Sequence, residues 1–517
     1  MKKITRVKKI NGHEYIYEIT YYYDKKAKRT RQKSKYLGKN VDGKPVRIRE
    51  QAKYPQKAYD LGAFLPYLSV IDEMQIPDLL EEVLSVQESR MVVTIALAGL
   101  INPHAIYNLG SWYNGTILSR YYPQLNLTPS TISRLLKKIG ESDISRVFST
   151  RLIESLRVTD AYLYDITLNT GEKSKNPGNM RGFEFHGSEI QKNHISLIVD
   201  KEEGIPVMYR QMSGTITETS KIRQYITEIS RHGILETTLV MDSSFFSMMN
   251  FYDLIFNSTP FIIPISTKNS TIHETVEECS IDMMHPKKLM MYQNESLFVQ
   301  PIILKSAQSP IKGYLYYNPH HGDAMLHQFK SDIASVIQKL DKSRIYAWMN
   351  PVETIREIAG EYESFIAWEE KDGQLLVKPK QKAISRYTKH FGKFVLLYAG
   401  KDFEWDECLA QYREKSEDER ILSAIINDLD TYPHNVNSVV IKQGILFISY
   451  ISLLLRKKVK RILEESGLFS IYSYERLFLE LELIRLIELA NQKSMVSALS
   501  RKQSEILSAL RISPDIL

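Results

Sequence analysis

Ala161-Tyr162-Leu163-Tyr164-Asp165-Ile166-Thr167-Leu168 decides how the middle of the chain is read. Its residues are aromatic, β-branched or aliphatic, the composition of a strand, with one carboxylate, Asp165, set in the middle. Outward from it, residues 194–200 and 207–212 read as two more strands, the second entered through the turn Gly204-Ile205-Pro206. Strands joined by short turns predict an antiparallel meander. Residues 218–232 then read as a helix and 238–241 as a short apolar strand with Asp242 at its end. A helix at 247–256 and an apolar strand at 261–265 follow.

The order is therefore β-β-β-α-β-α-β, with acids on the first and fourth strands, as in an RNase-H-like domain. Asp165 lies between Tyr164 and Ile166, and Asp242 follows Leu239-Val240-Met241. Neither has a basic neighbour in sequence, and a buried charge is costly unless a cation compensates it. Two readings stay open: turn and cap residues, or a cation site. Residues 402–430 contain no Gly or Pro and carry apolar Leu409, Ile421, Leu422, Ile425, Ile426 and Leu429 at helical spacing. On that helix Tyr412, Lys415 and Glu419 share one face. Alone, the pattern is most often a surface ion pair. Together with Asp165 and Asp242, Glu419 would complete an oxygen-rich site suited to Mg²⁺.

The chain has 517 residues, enough for several cores, with 43% hydrophobic and 25% charged residues. Its two cysteines, Cys279 and Cys408, exclude a disulfide scaffold and a four-cysteine zinc site and fit a reducing cytosol. The basic N-terminus has no apolar segment behind it, so no signal peptide is expected. The apolar run 444–455 is too short to span a bilayer, so no membrane partner is expected. Of the net charge of +7, residues 1–50 hold 16 Lys/Arg against 5 Asp/Glu, so the remainder sums to −4. A basic N-terminus suits a polyanion such as DNA; a solvated tail has the same composition. Residues 13–23 form a strand with Tyr15, Tyr17, Ile19, Tyr21 and Tyr23 on one face. Residues 29–37 return as a second strand bearing Arg29, Arg31, Lys33 and Lys35. This hairpin reads equally as a DNA-backbone contact or as cross-strand tyrosine packing.

Residues 59–150 read as helical, with 91–101 a buried helix and Thr128-Pro129 opening another. That helix carries Arg134, Lys137 and Lys138 on its polar side. Helix-turn-helix and generic bundle both fit. The expected architecture is an α+β or α/β multidomain chain. It comprises a basic β-hairpin region (1–55), a helical DNA-binding or dimerisation domain (56–157) and a first catalytic part (158–265). A β-rich insertion (266–392), a second catalytic part with the Glu helix (393–460) and C-terminal helices (461–517) complete it. Trp112 and Trp405 are expected to pack, and His186 and His194 to be structural.

Over roughly residues 5–460 the sequence resembles the DDE transposases of bacterial and archaeal insertion sequences, in the superfamily numbered four, most nearly its branch numbered sixteen-thirty-four. The matching pieces are Ser34-Lys35-Tyr36-Leu37-Gly38, Leu61-Gly62-Ala63, Tyr164-Asp165-Ile166-Thr167, Gly187-Ser188, residues 194–200 with Gly204-Ile205-Pro206-Val207, Ser213-Gly214-Thr215 and Val240-Met241-Asp242-Ser243. The last is the signature Tyr, two residues, Arg, three residues, Glu, six residues, Lys, which reads here Tyr412, Lys415, Glu419 and Ile426. Lys415 keeps the charge of the Arg but not its bidentate fork, and Ile426 replaces the Lys. The 177 positions from Asp242 to Glu419 accommodate the family's insertion.

The resemblance implies catalytic, metal-holding Asp165, Asp242 and Glu419, with two Mg²⁺ for which Mn²⁺ can substitute. It implies Tyr412 and Lys415 as DNA contacts, and cleavage and strand transfer at the terminal inverted repeats of an insertion sequence into target DNA. It further implies a homodimer on DNA and a cytoplasmic, nucleoid-associated location in a prokaryote. The alternatives are a catalytically degenerate DNA-binding relative and an RNase-H-type nuclease without strand transfer.

Overall fold

A computed structural model describes residues 3–10, 13–24, 28–46, 55–103, 108–168, 193–212, 219–304, 310–344, 350–371, 373–430, 439–489 and 493–513. Gly187-Ser188, Ser213-Gly214-Thr215 and His186 lie outside them. The described chain is α+β, built as two compact units: one from 1–152, 203–206 and 424–517, the other from 153–202 and 207–423.

In the first unit the expected hairpin is part of a larger sheet. Strands β1 (Lys3–Ile10), β2 (His13–Asp24), β3 (Arg29–Val41) and β4 (Lys44–Val46) pair consecutively as a four-stranded sheet. The expected second strand is thus longer, and β1 was hidden in what reads as a basic tail. Strand β5 (Pro55–Asp60) follows. The helix Val86–Ile101 starts from a full capping box, Ser85 with Glu88. Thr128 stands at the N-cap of Pro129–Gly140 but makes no side-chain cap; its hydroxyl meets that of Thr131 at 2.8 Å.

The core of this unit is the helix Val439–Glu465, buried from Gly444 through Leu455. A Cβ on Gly444 would meet the Leu136 carbonyl oxygen at 2.3 Å, so the crossing of this helix with Pro129–Gly140 requires glycine. Among the described residues this helix alone is long and apolar enough to cross a membrane, and 67% of its apolar window is buried inside the protein.

The second unit carries the nine-stranded sheet. Its strands are β6 (Asp160–Leu168), β7 (Asn193–Asp200), β8 (Pro206–Met212), β9 (Glu236–Val240), β10 (Phe261–Ile265), β11 (Leu289–Tyr292), β12 (Glu295–Leu304), β13 (Ile311–Tyr317) and β16 (Lys393–Ala399). The order is β11-β12-β13-β16-β10-β9-β6-β7-β8. β6 runs antiparallel to β7 and parallel to β9; β9 and β10 are parallel.

The expected β-rich insertion is corrected in two ways. Strands β11–β13 extend the main sheet instead of standing apart. The rest is dominated by helices, Pro319–Asp341 above all, with one hairpin, β14 (Ile366–Lys371) and β15 (Gln374–Pro379). The helix Trp405–Asp430 forms as expected. Its Leu409 and Cys408 pack on Ile262, Tyr316, Leu396 and Tyr398 of the sheet.

The expected all-helical C-terminus is also corrected. The helix Tyr474–Leu481 stops, and β17 (Arg485–Leu489) pairs with β5 and with β18 (Ser494–Val496). The Ile484 carbonyl accepts hydrogen bonds from Leu61 and Gly62 amides, both 3.2 Å, which turns the chain there.

Candidate active site

Strand alternation puts Tyr162 and Tyr164 on one face of β6 and Asp165 and Thr167 on the other. The tyrosines face the Trp405–Asp430 helix: the Tyr164 hydroxyl donates to Gln411 Oε1 at 2.8 Å. Asp165 is 1% exposed, and its Oδ1 has no hydrogen-bond partner among the described residues. On β7, Ser196 is its cross-strand partner and His194 that of Thr167. His194 Nδ1 lies 3.9 Å from Asp165 Oδ1, beyond hydrogen-bond length, and 3.4 Å from Thr167 Oγ1. His194 Nε2 and Ser196 Oγ are likewise buried without hydrogen-bond partners among the described residues. A polar nest of this kind at the centre of a sheet costs several kcal/mol unless something charged or polar fills it.

Asp242 leaves the end of β9. Its Oδ1 accepts from the Ser243 amide at 2.6 Å and from the Ser243 hydroxyl at 3.4 Å. It therefore caps the short 3-10 turn Ser243–Phe245, as one of the two sequence readings had it. Its other oxygen is turned elsewhere and accepts from Thr167 Oγ1 at 3.4 Å. Thr167 thus links the Asp165 strand to Asp242. Its place two residues after Asp165, on the same face, was the available signal.

On the helix, Lys415 Nζ lies 3.4 Å from Glu419 Oε2. With Lys415 buried, this is not the solvated surface pair that the spacing alone describes. Burial pushes the Glu419 carboxyl up; Lys415 opposes this, and the charges of Asp242 and then Asp165 add to it. Burial likewise lifts the Tyr412 phenol to about 12, helped by Asp242 and Glu419, so it is a neutral hydroxyl at physiological pH. Its ring stacks on Phe394 at 6.3 Å. Asp165, Asp242 and Glu419 therefore lie in one electrostatic neighbourhood.

Of the neighbouring acids, Asp418 is fully buried and its charge acts on Tyr164, so Glu419 is the acid turned to the aspartates. Among the described residues no three His, Cys, Asp or Glu groups lie close enough to hold one metal ion together. Like charges repel, and Lys415 draws the Glu419 oxygen to itself. In chemical type the three groups are all carboxylate oxygen donors, one of them buried and unbonded, the kind that divalent cations prefer.

Ile426, at the position of the signature's Lys, is 7% exposed. In the N-terminal sheet Arg29, Arg31, Lys33 and Lys35 alternate along β3 and are exposed. Arg31 pairs with Asp24 at 3.1 Å and Lys3 with Glu18 at 3.3 Å, so acids neutralise part of that face. On the opposite face Tyr36 packs against Tyr15 and Tyr17, at 6.0 and 5.5 Å between ring centroids. Tyr15, Tyr17 and Tyr36 thus pack on one another, whereas Tyr23 is 61% exposed, so both readings of this sheet stay available.

No family model matches the chain, and no curated protein does.

Proposed function

We propose that the chain is a DDE transposase with an RNase-H-like core. It would cut DNA at the ends of an insertion sequence and join the freed 3′ ends to target DNA. The observation that carries this is the unbonded, buried oxygen of Asp165, on an interior strand, with its charge and that of Asp242 both acting on Glu419. Buried carboxylates in packing roles are ordinarily hydrogen-bonded.

Asp165, Asp242 and Glu419 are the residues to hold two Mg²⁺, or Mn²⁺ in their place. Bound there, the ions would supply an activated hydroxyl and stabilise the leaving oxygen at a phosphodiester. The protein's own groups set the stage. Ser243 and Thr167 fix both oxygens of Asp242. Lys415 favours the ionised form of Glu419, against burial. Tyr412, a neutral phenol beside the acids, offers a hydroxyl to a phosphate oxygen. Arg29, Arg31, Lys33 and Lys35 offer a second, sequence-independent contact to the DNA backbone. The protein would act as a homodimer on its paired terminal inverted repeats, in the cytoplasm, at the nucleoid.

Buried Ile426 favours a second reading, a degenerate relative that binds DNA without cutting it. Incubation with supercoiled plasmid and end DNA in Mg²⁺ separates them: strand-transfer products support the transposase. Cleavage alone supports a nuclease, and binding alone the degenerate relative.

A further inference from the structure

The two faces of the N-terminal sheet differ in chemistry. Cross-strand partners share a face, so the register sorts the side chains. Glu18 of β2 stands opposite Thr5 of β1 and Lys35 of β3, and Tyr22 and Asp24 stand opposite Arg31 and Arg29. All three carboxylates of β2, Glu14, Glu18 and Asp24, lie on this face, and each meets a partner. Asn40 Nδ2 donates to Glu14 at 2.7 Å, Lys3 pairs with Glu18 and Arg31 with Asp24.

The other face carries Tyr15, Tyr17, Tyr21 and Tyr23 of β2 with Tyr36 of β3, the cross-strand partner of Tyr17. Its cations are Arg6 and Lys8 of β1, opposite Tyr17 and Tyr15, and Lys39 of β3, on the other side of Tyr15. Strands β1, β2 and β3 place no carboxylate on it. Among the described residues, Arg6, Lys8 and Lys39 enter no ion pair. Lys8 instead lies 5.0 Å from the centroid of the Tyr17 ring. This face is open to water as well: Tyr36 is 39% exposed, and Ile4 and Ile10 are exposed beside the cations. In the described part of the sheet, the buried apolar side chains are Ile16 and Ile19. A sheet with so little core of its own is marginal alone, and a ligand laid on its open face would add to that core.

We propose that the tyrosine face binds single-stranded DNA, its rings stacking on unpaired bases and Arg6, Lys8 and Lys39 meeting the phosphates between them. This rests on the DNA reading above and assigns the two faces different work. Aromatic rings interleaved with cations suit a polymer in which bases alternate with phosphates. A closed duplex already covers its base faces, so it would gain from the cations of either face but not from the rings. The absence of carboxylates on this face favours a polyanion over a protein partner. Cutting at a DNA end leaves terminal bases that unpair readily, which is where such a strand would arise.

The test compares oligothymidine of about 12 nucleotides with duplex DNA, both binding the full chain in metal-free buffer so that no cleavage intervenes. The Tyr23→Leu/Tyr36→Leu variant removes two exposed rings without changing charge. It should bind oligothymidine at least about tenfold more weakly and duplex as the wild type does. Tyr23→Phe/Tyr36→Phe keeps the rings and should retain both affinities. Unchanged oligothymidine affinity in the leucine variant overturns the site and leaves duplex binding standing. An equal loss of duplex affinity, or a loss repeated in the phenylalanine variant, also overturns it, since stacking on unpaired bases is then not the cause. So does a wild-type chain that binds duplex but not oligothymidine. A leucine variant that changes only the oligomeric state of the DNA-free chain would make this face a contact between copies, against the proposal. If the wild-type chain binds neither DNA, the functional reading fails and this inference with it.

Discussion

Lys458 and Asp165 are both charges withdrawn from water, and the protein treats them in opposite ways. Lys458, on the long helix of the first unit, has a side chain 13% exposed and meets Glu203 at 2.8 Å and Glu73 at 3.5 Å. Burial alone would lower its pKa, but the two acids outweigh that and raise it. Asp165, in the second unit, has a side chain 2% exposed and an oxygen with no hydrogen bond among the described residues. A charge kept for stability is paired. One left without a hydrogen bond inside a sheet costs stability and is a candidate functional group.

Substitution separates the two most sharply. Asp165→Asn should lower Mg²⁺-dependent DNA cleavage by about 10³-fold and leave DNA affinity intact, measured by end-cleavage and gel-shift assays. Unchanged cleavage would remove Asp165 from the site. Lys458→Met should leave cleavage per folded molecule unchanged.

Divalent ions give the next contrast. At 100-fold excess over its dissociation constant, Mg²⁺ should stabilise the wild-type chain by about 2.7 kcal/mol in thermal or urea unfolding. In Asp165→Asn and Glu419→Gln the effect should shrink or vanish, whereas Lys458→Met should keep it. Equal stabilisation of all variants would mean that the ions bind elsewhere.

In metal-free buffer the order reverses. Lys458→Met should cost about 1–2 kcal/mol, discounted because Glu203 and Glu73 are partly solvated. Asp165→Asn should be neutral or stabilising, since it removes a buried carboxylate whose Oδ1 has no hydrogen bond among the described residues. Urea midpoints decide; a large loss in Asp165→Asn would show that the carboxylate is structural.

The smallest effect is in pH. Both Glu419 and Lys458 bind their protons more tightly folded than unfolded. Each contribution is complete below the unfolded pKa and is lost as pH rises through the folded one. For Glu419 that window lies just above the ordinary carboxylate range, and for Lys458 it is alkaline. Metal-free stability should therefore decline slightly as pH rises out of the carboxylate range, and Glu419→Gln should flatten that slope. A slope unchanged by the substitution would mean that Glu419 is not the group titrating.

The sequence was readable where structure is local. The alternation of 161–168 and the apolar runs at 238–241 and 261–265 gave β6, β9 and β10, and the periodicity of 405–430 gave the acid-bearing helix. What escaped depended on distant partners. Residues 485–489 read as helix because their strand partner, β5, lies more than 400 positions earlier in sequence. Lys3–Ile10 read as a charged tail because its pairing with β2 cannot be seen in a run of lysines. Strands β11–β13 read as a separate insertion because joining the sheet through β16 is a property of topology. At the site, the three acids were visible as residue types at strand ends and on a helix face. The unbonded state of Asp165, the bridge through Thr167 and the burial of Lys415 were not, because each depends on what packs around it.

Anomalous diffraction from crystals of the chain soaked in Mn²⁺ tests the central claim most directly. Manganese peaks among the carboxyl groups of Asp165, Asp242 and Glu419, absent from Asp165→Asn crystals, are the expected result. Manganese bound elsewhere, with none at these three residues in the wild-type crystals, would contradict it.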